Sequence, residues 1–235
     1  MSSRKNSDIE RHYFESFQAH YDVPTGQIEY TDKPDVIVRG RKTLGIEIAN
    51  LYLVNGSDPV SEQSQIRFRA KALKLGQSTY RHHGGRLIEV TVGFDPRTPV
   101  ISYRALGESL AVLVESLSGR QTGEVPRQHF DHIPEINFLY YNDTEHADAK
   151  WRAMQCYSTP NLSVLRVAEL VAQKESKKVS YQPCEHYWLL LIVDFMDPAQ
   201  DQDLHWPARV VLEKSPFERI LLYKPQFAQV VRVPQ

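Results

Sequence analysis

Residues 34–49, Pro-Asp-Val-Ile-Val-Arg-Gly-Arg-Lys-Thr-Leu-Gly-Ile-Glu-Ile-Ala, set two carboxylates into an otherwise apolar hairpin. Val36, Ile37 and Val38 read as one short strand, and Leu44, Ile46 and Ile48 define the next. Gly40 and the cationic segment 39–42 supply the turn. With the turn centred near Arg41, Asp35 and Glu47 lie at equal offsets and fall opposite each other. Directly opposed residues have Cβ atoms roughly 4.5–5.5 Å apart, and like charges there are destabilising. The two-residue period sends Val36, Val38, Leu44, Ile46 and Ile48 to one face. It sends Asp35, Ile37, Gly45, Glu47 and Ala49 to the other. Two facing acids in such an apolar hairpin need a reason. A shared hard cation with oxygen ligands, Mg2+ or alternatively Mn2+, is the simplest one. The bland alternative is a pair on a solvent-exposed hairpin face, or one that only meets neighbouring arginines.

Other constellations are less specific. His82-His83 and His129-x-x-His132 lack the helix context and glutamate of a His-Glu-x-x-His site, and no cysteine pair completes a tetrahedral set. Cys156 and Cys184 are far apart in sequence, and no local histidine constellation marks either as a nucleophile. There is no Gly-x-x-x-x-Gly-Lys-Ser/Thr loop, no dinucleotide fingerprint and no Gly-x-Ser-x-Gly elbow, which argues against ATP or NAD use.

Bulk properties narrow the class. The 235 residues, 41% hydrophobic and 24% charged, suit one soluble globular domain spanning 1–235. No apolar run approaches the roughly 20 residues of a membrane span, and the polar first residues lack a secretion signal. Two cysteines imply no disulfide framework, so a reducing cytoplasm is the expected location. A net charge of −1 argues against a protein that coats nucleic acid through bulk charge, though it allows a local basic groove. Arg39, Arg41 and Lys42, then Arg67, Arg69, Lys71 and Lys74, are either solvated faces or a phosphate-contacting rim.

The pattern predicts a helix over 8–19, with Glu10 on the same stripe as Phe14, Phe17 and Tyr21. An acid on an apolar stripe is unusual, although pairing with Arg11 or Lys5 would also explain it. A loop at 55–59 precedes a helix over 61–80, which carries the polar stripe Arg67, Lys71, Lys74 and Ser78. A strand over 86–94, a helix over 103–117, an irregular stretch at 123–134 and a strand over 136–141 follow. Pro160-Asn161 opens a helix with Val164, Val167, Ala168 and Val171 on one face, running into a charged, solvated end at 174–178. The run 187–195 is apolar without alternation, as for a strand covered on both faces. Segments 210–212, 219–223 and 228–233 complete the sheet. The expectation is an α/β (α+β) fold, with one central mixed sheet flanked by helices.

Pro34-Asp35 at the start of one strand, with Glu47 on the next, resembles the core of the PD-(D/E)XK nuclease superfamily. Its pattern is Pro-Asp followed by (Asp/Glu)-x-Lys, and Ala49 stands where the lysine would be. A wider similarity to an uncharacterised bacterial nuclease-like family runs through Gly45-Ile-Glu-Ile-Ala, Tyr80 with Gly84-Gly85, and Phe94-Asp95-Pro96. It continues through Cys184-Glu-His-Tyr-Trp-Leu-Leu-Leu-Ile-Val and Phe217-Glu-Arg-Ile-Leu-Leu-Tyr. The resemblance implies a restriction-endonuclease-like core and Mg2+-dependent hydrolysis of phosphodiester bonds, in DNA more than RNA. It implies Glu10, Asp35, Glu47 and the main-chain carbonyl of Ile48 as metal ligands. Asp35 and Glu47 would be catalytic, with Lys71 supplying the displaced lysine and Arg69 as its runner-up. Bacterial restriction, repair or phage defence would suit such an enzyme, as a homo-oligomer or with a partner subunit. Ala49 supports the alternative, a catalytically inactive nuclease fold used for nucleic-acid binding or assembly.

Overall fold

The structure is a computed structural model describing residues 2–54, 60–154 and 159–235. The loop at 55–59 and Cys156 lie outside the described residues. In chain order the elements begin with α1 (Ser2–Gln18), β1 (Gln27–Tyr30), β2 (Val36–Arg39) and β3 (Thr43–Asn50). Then come α2 (Glu62–His82), β4 (Ile88–Phe94), α3 (Tyr103–Ser116), β5 (Gly123–Glu124), β6 (Ile136–Glu145) and β7 (Trp151–Ala153). The chain ends with α4 (Val164–Lys177), β8 (His186–Ile192), β9 (Arg219–Lys224) and β10 (Gln229–Val233). Two compact units result. The first combines Met1–Leu53 with Thr159–Gln235, and the second, Val54–Ser158, is inserted between them in sequence.

The first unit is built on a six-stranded mixed sheet of order β1-β2-β3-β8-β9-β10. β1, β2 and β3 form an antiparallel meander, and β3, β8 and β9 run parallel. Parallel neighbours need a crossover; between β3 and β8 the chain contains the whole second unit and α4. One face of the sheet packs Val36, Val38, Leu44, Ile46, Ile48, Trp188 and Leu190 against Phe14 and Phe17 of α1. The other packs Leu189, Leu191, Ile220 and Leu222 with Val167, Leu170 and Val171 of α4. Covered on both sides, Trp188 to Ile192 are all buried, which explains the unbroken apolar run of β8.

The second unit is a four-stranded sheet of order β5-β6-β4-β7 with α2 and α3 packed against it. Ser61 and Ser102 cap these helices, each accepting a hydrogen bond from the amide three residues on (Ser64 and Ala105). Gly76 sits inside α2 because α3 comes close there: an added Cβ would lie 3.0 Å from the carbonyl oxygen of Gly107. This close approach is why the glycine does not end the helix.

The mixed α/β class holds, with the strands divided between two sheets rather than gathered in one. Residues 210–212 are irregular: Leu212 N–H donates to Pro234 O at 2.9 Å, but no ladder forms. β5 and β7 are two and three residues long, too short to carry a periodic pattern. α1 begins at Ser2 instead of near Asp8. No helix among the described residues is long and apolar enough to cross a membrane.

Candidate functional site

The β2–β3 hairpin pairs Val36 with Ile46 and Val38 with Leu44, a register symmetric about Arg41. Asp35 immediately precedes β2, and Glu47 follows Ile46 on β3, so the two acids come together at this end of the hairpin. Gly45 helps set their approach. A Cβ there would lie 2.8 Å from Pro34 Cγ and 3.0 Å from the Tyr187 ring, so glycine admits the proline that carries Asp35.

The Asp35 carboxylate accepts a hydrogen bond from Ile48 N–H at 2.6 Å. Along a strand, one residue's N–H and C=O point to the same flank. The Ile48 carbonyl therefore faces the flank on which Asp35 sits. Glu47 is only 7% exposed, although a carboxylate is rarely buried so far without a partner. Its partner is Lys174 of α4, whose Nζ stands 2.7 Å from Oε1. The other oxygen, Oε2, is buried and makes no hydrogen bond. The Tyr181 hydroxyl is likewise buried, beside Glu47. Burial pushes the Tyr181 phenol up, and the adjacent Glu47 charge pushes it further.

Charge is the site's main feature. Burial pushes the Asp35 carboxyl up to about 8, and the Glu47 charge adds to the rise; the Ile48 amide opposes it, Glu10 adds to it and Lys174 opposes it. Burial also raises Glu10, with Glu47 adding, Lys174 opposing and Asp32 adding. Glu10, Asp35 and Glu47 thus share one electrostatic neighbourhood with a single ammonium, from Lys174. With these four groups ionised, negative charge exceeds positive. Desolvated charge of this kind is costly and favours either protonation or a cation.

A divalent ion fits these residues. Mg2+ keeps several waters and is usually held by one or two carboxylates plus substrate phosphates, without a full protein cage. Asp35 and Glu47, with the orphaned Oε2, supply such a pair, and the Ile48 carbonyl faces the same flank. No group of three or more His, Cys, Asp or Glu side chains among the described residues forms a ready-made metal cluster. Glu10 is coupled to this pair through its charge.

The candidate lysine of the sequence, Lys71, lies on α2. Lys71 belongs to the second unit, where its ammonium sits over the Tyr103 ring, 5.4 Å from the centroid. Arg69, its runner-up, makes a two-pronged ion pair with Glu62 at 2.7 and 3.0 Å. The ammonium that meets Glu47 comes from α4, in the stretch read from sequence as a solvated helix end. Lys174 is in fact 84% buried at its side chain and ion-paired. The overlooked signal was spacing: Val167, Leu170, Val171 and Lys174 follow the i, i+3, i+4, i+7 stripe that packs on the sheet. Ala49 packs into that same cluster. Tyr181 had no comparable signal, since it follows α4 at the end of a single 3-10 turn, Lys178–Ser180. Of the histidines, His83 meets Glu115 at 2.7 Å. Cys184 is half-buried, and burial raises its thiol, which disfavours the thiolate. No family model, curated protein or solved structure matches this chain, so the site is read from its own geometry.

Proposed function

We propose that this protein is a Mg2+-dependent nuclease that hydrolyses phosphodiester bonds, with DNA as the preferred substrate. The reading is carried by one observation: two adjoining carboxylates, one of them pushed up to about 8, share a desolvated site with a single lysine. Asp35, Glu47 and the Ile48 carbonyl would hold the ion, and Glu10 would add negative potential. The ion would neutralise charge on the scissile phosphate. Lys174 takes the part first assigned to Lys71. Held by Glu47, its ammonium donates to a phosphate oxygen or orients the attacking water, as a positioned cation does when charge develops in a transition state. Tyr181, facing Glu47, limits the space around that carboxylate. Pro34 and Gly45 keep Asp35 in register.

The test is cleavage of supercoiled plasmid, linear duplex, single-stranded DNA and RNA with Mg2+ or Mn2+. Wild type should cut at least one DNA substrate. Asp35→Asn and Glu47→Gln should lose cleavage, and Lys174→Met should lower kcat by about 10²–10³, the range for removing one electrostatic stabiliser. Intact substrates with either metal would refute catalysis. The direct Lys174–Glu47 contact favours a second reading, an inactive nuclease fold in which lysine neutralises the acid permanently. Under that reading Lys174→Met would not change a zero cleavage rate.

A further inference from the structure

Outside the carboxylate site, α2 in the second unit carries a cluster of cationic side chains. Arg67, Lys71 and Lys74 are exposed. At helical spacing they form one stripe, opposite the buried Ala72, Leu73, Gly76 and Tyr80. None of the three forms an ion pair with an acid among the described residues. Arg69, on a different edge, is neutralised by Glu62, so the contrast lies within a single helix. The patch extends to the start of α3. Tyr103 lies under Lys71, stacks on Phe68 at 6.5 Å and 19°, and accepts a 3.4 Å hydrogen bond from Arg104 Nε. The Arg104 guanidinium and, less strongly, Lys71 hold the Tyr103 phenol below its ordinary value. Glu108 is the acid that faces Arg104. Two cations, Lys71 and Arg104, therefore lie over one aromatic ring, with Arg67 and Lys74 on the same stripe of α2 and Glu108 at the margin.

We infer that this α2–α3 surface, Arg67, Lys71, Lys74, Arg104 and Tyr103, docks the phosphate backbone of duplex nucleic acid. The inference deepens the nuclease reading and takes its choice of polyanion from it. Charge complementarity supports it. Arg67 to Lys74 spans about 10 Å of helix axis at ~1.5 Å per residue. Over that length duplex DNA presents about six phosphate charges at one per ~1.7 Å. Such contacts position a duplex without reading its sequence, which suits exposed, flexible lysines better than buried forks.

The experiment measures anisotropy of a fluorescein-labelled 30-base-pair duplex, without divalent metal, from 50 to 200 mM KCl. It uses wild type, the triple variant Arg67→Gln/Lys71→Gln/Lys74→Gln, and Arg97→Gln as an exposed control in the same unit. The triple variant should flatten the slope of log Kobs against log salt by about 2–3, close to one per lost contact. It should bind at least about 30-fold more weakly at 100 mM salt, with an unchanged melting curve, while the control binds like wild type. The inference is overturned by an unchanged slope and affinity in the triple variant. It is also overturned if wild type binds phosphatidylserine vesicles but no duplex. The two readings separate cleanly. Salt-sensitive docking through this face without any cleavage would sink the nuclease alone, whereas wild-type cleavage with an unaffected triple variant would sink the docking surface alone.

Discussion

Replacing Asp35 by Asn should make the protein more stable at alkaline pH, although it removes a proposed metal ligand. In the folded state burial and Glu47 lift this carboxyl from 3.8 to about 8. The folded form then binds more protons than the unfolded chain between about pH 4 and 8. Wild-type stability is therefore greatest, for this group, below about pH 4 and declines as pH rises through 8. Asn is isosteric, can still accept from Ile48 N–H, and has no charge to desolvate. At about 1.4 kcal/mol per pH unit, the full span corresponds to on the order of 5 kcal/mol. Water reaching a half-buried site lowers the measurable figure to about 2–3 kcal/mol. Urea unfolding of metal-free wild type and Asp35→Asn at pH 4, 6, 8 and 9 measures it. The variant's advantage should be near zero at pH 4, grow through pH 6–8 and level off at pH 9, adding about 5–10 °C to Tm there. A variant that is less stable at pH 9, or a difference independent of pH, would refute the claim of uncompensated charge. Functional sites commonly trade stability in this way.

Two other outcomes follow from the same geometry. Lys174→Met leaves the Glu47 carboxylate buried without its partner and should cost about 3–5 kcal/mol at pH 8; Lys174→Met/Glu47→Gln should recover most of it in a double-mutant cycle by denaturant unfolding. A coupling below about 1 kcal/mol, typical of an exposed pair, would contradict the burial of this contact. Divalent-ion binding should release close to one proton per ion at pH 6.5 and almost none at pH 9.5, because Asp35 must ionise to bind. Calorimetry in buffers of different ionisation enthalpy reads this directly, and no proton release at pH 6.5 would exclude Asp35 as a ligand.

The hairpin was fully legible because its information is local. Equal offsets from Arg41 place Asp35 against Glu47, and the pairs Val36–Ile46 and Val38–Leu44 follow the same register. The face assignment was legible as well. Val36, Val38, Leu44, Ile46 and Ile48 all enter the core under α1. The strands' division between two sheets was not legible, since each unit buries an ordinary core and no composition break marks Leu53 or Thr159. Lys174 is 127 residues from Glu47, and only the fold joins them. Its place on the α4 stripe was visible, but the run of charges after it made the helix end look solvated. Lys71 and Lys74 illustrate the reverse. Their stripe is exposed, as helical spacing indicates, and no acid among the described residues pairs with them.

Calorimetric titration of Mn2+ into wild type and Glu47→Gln at pH 8.5 reaches furthest into this account. Two adjoining acids beside the Lys174 ammonium should take up one ion per chain, and Glu47→Gln should weaken it at least about tenfold, ~1.4 kcal/mol. No saturable heat in wild type, or the same isotherm in both proteins, would mean that these carboxylates hold no cation.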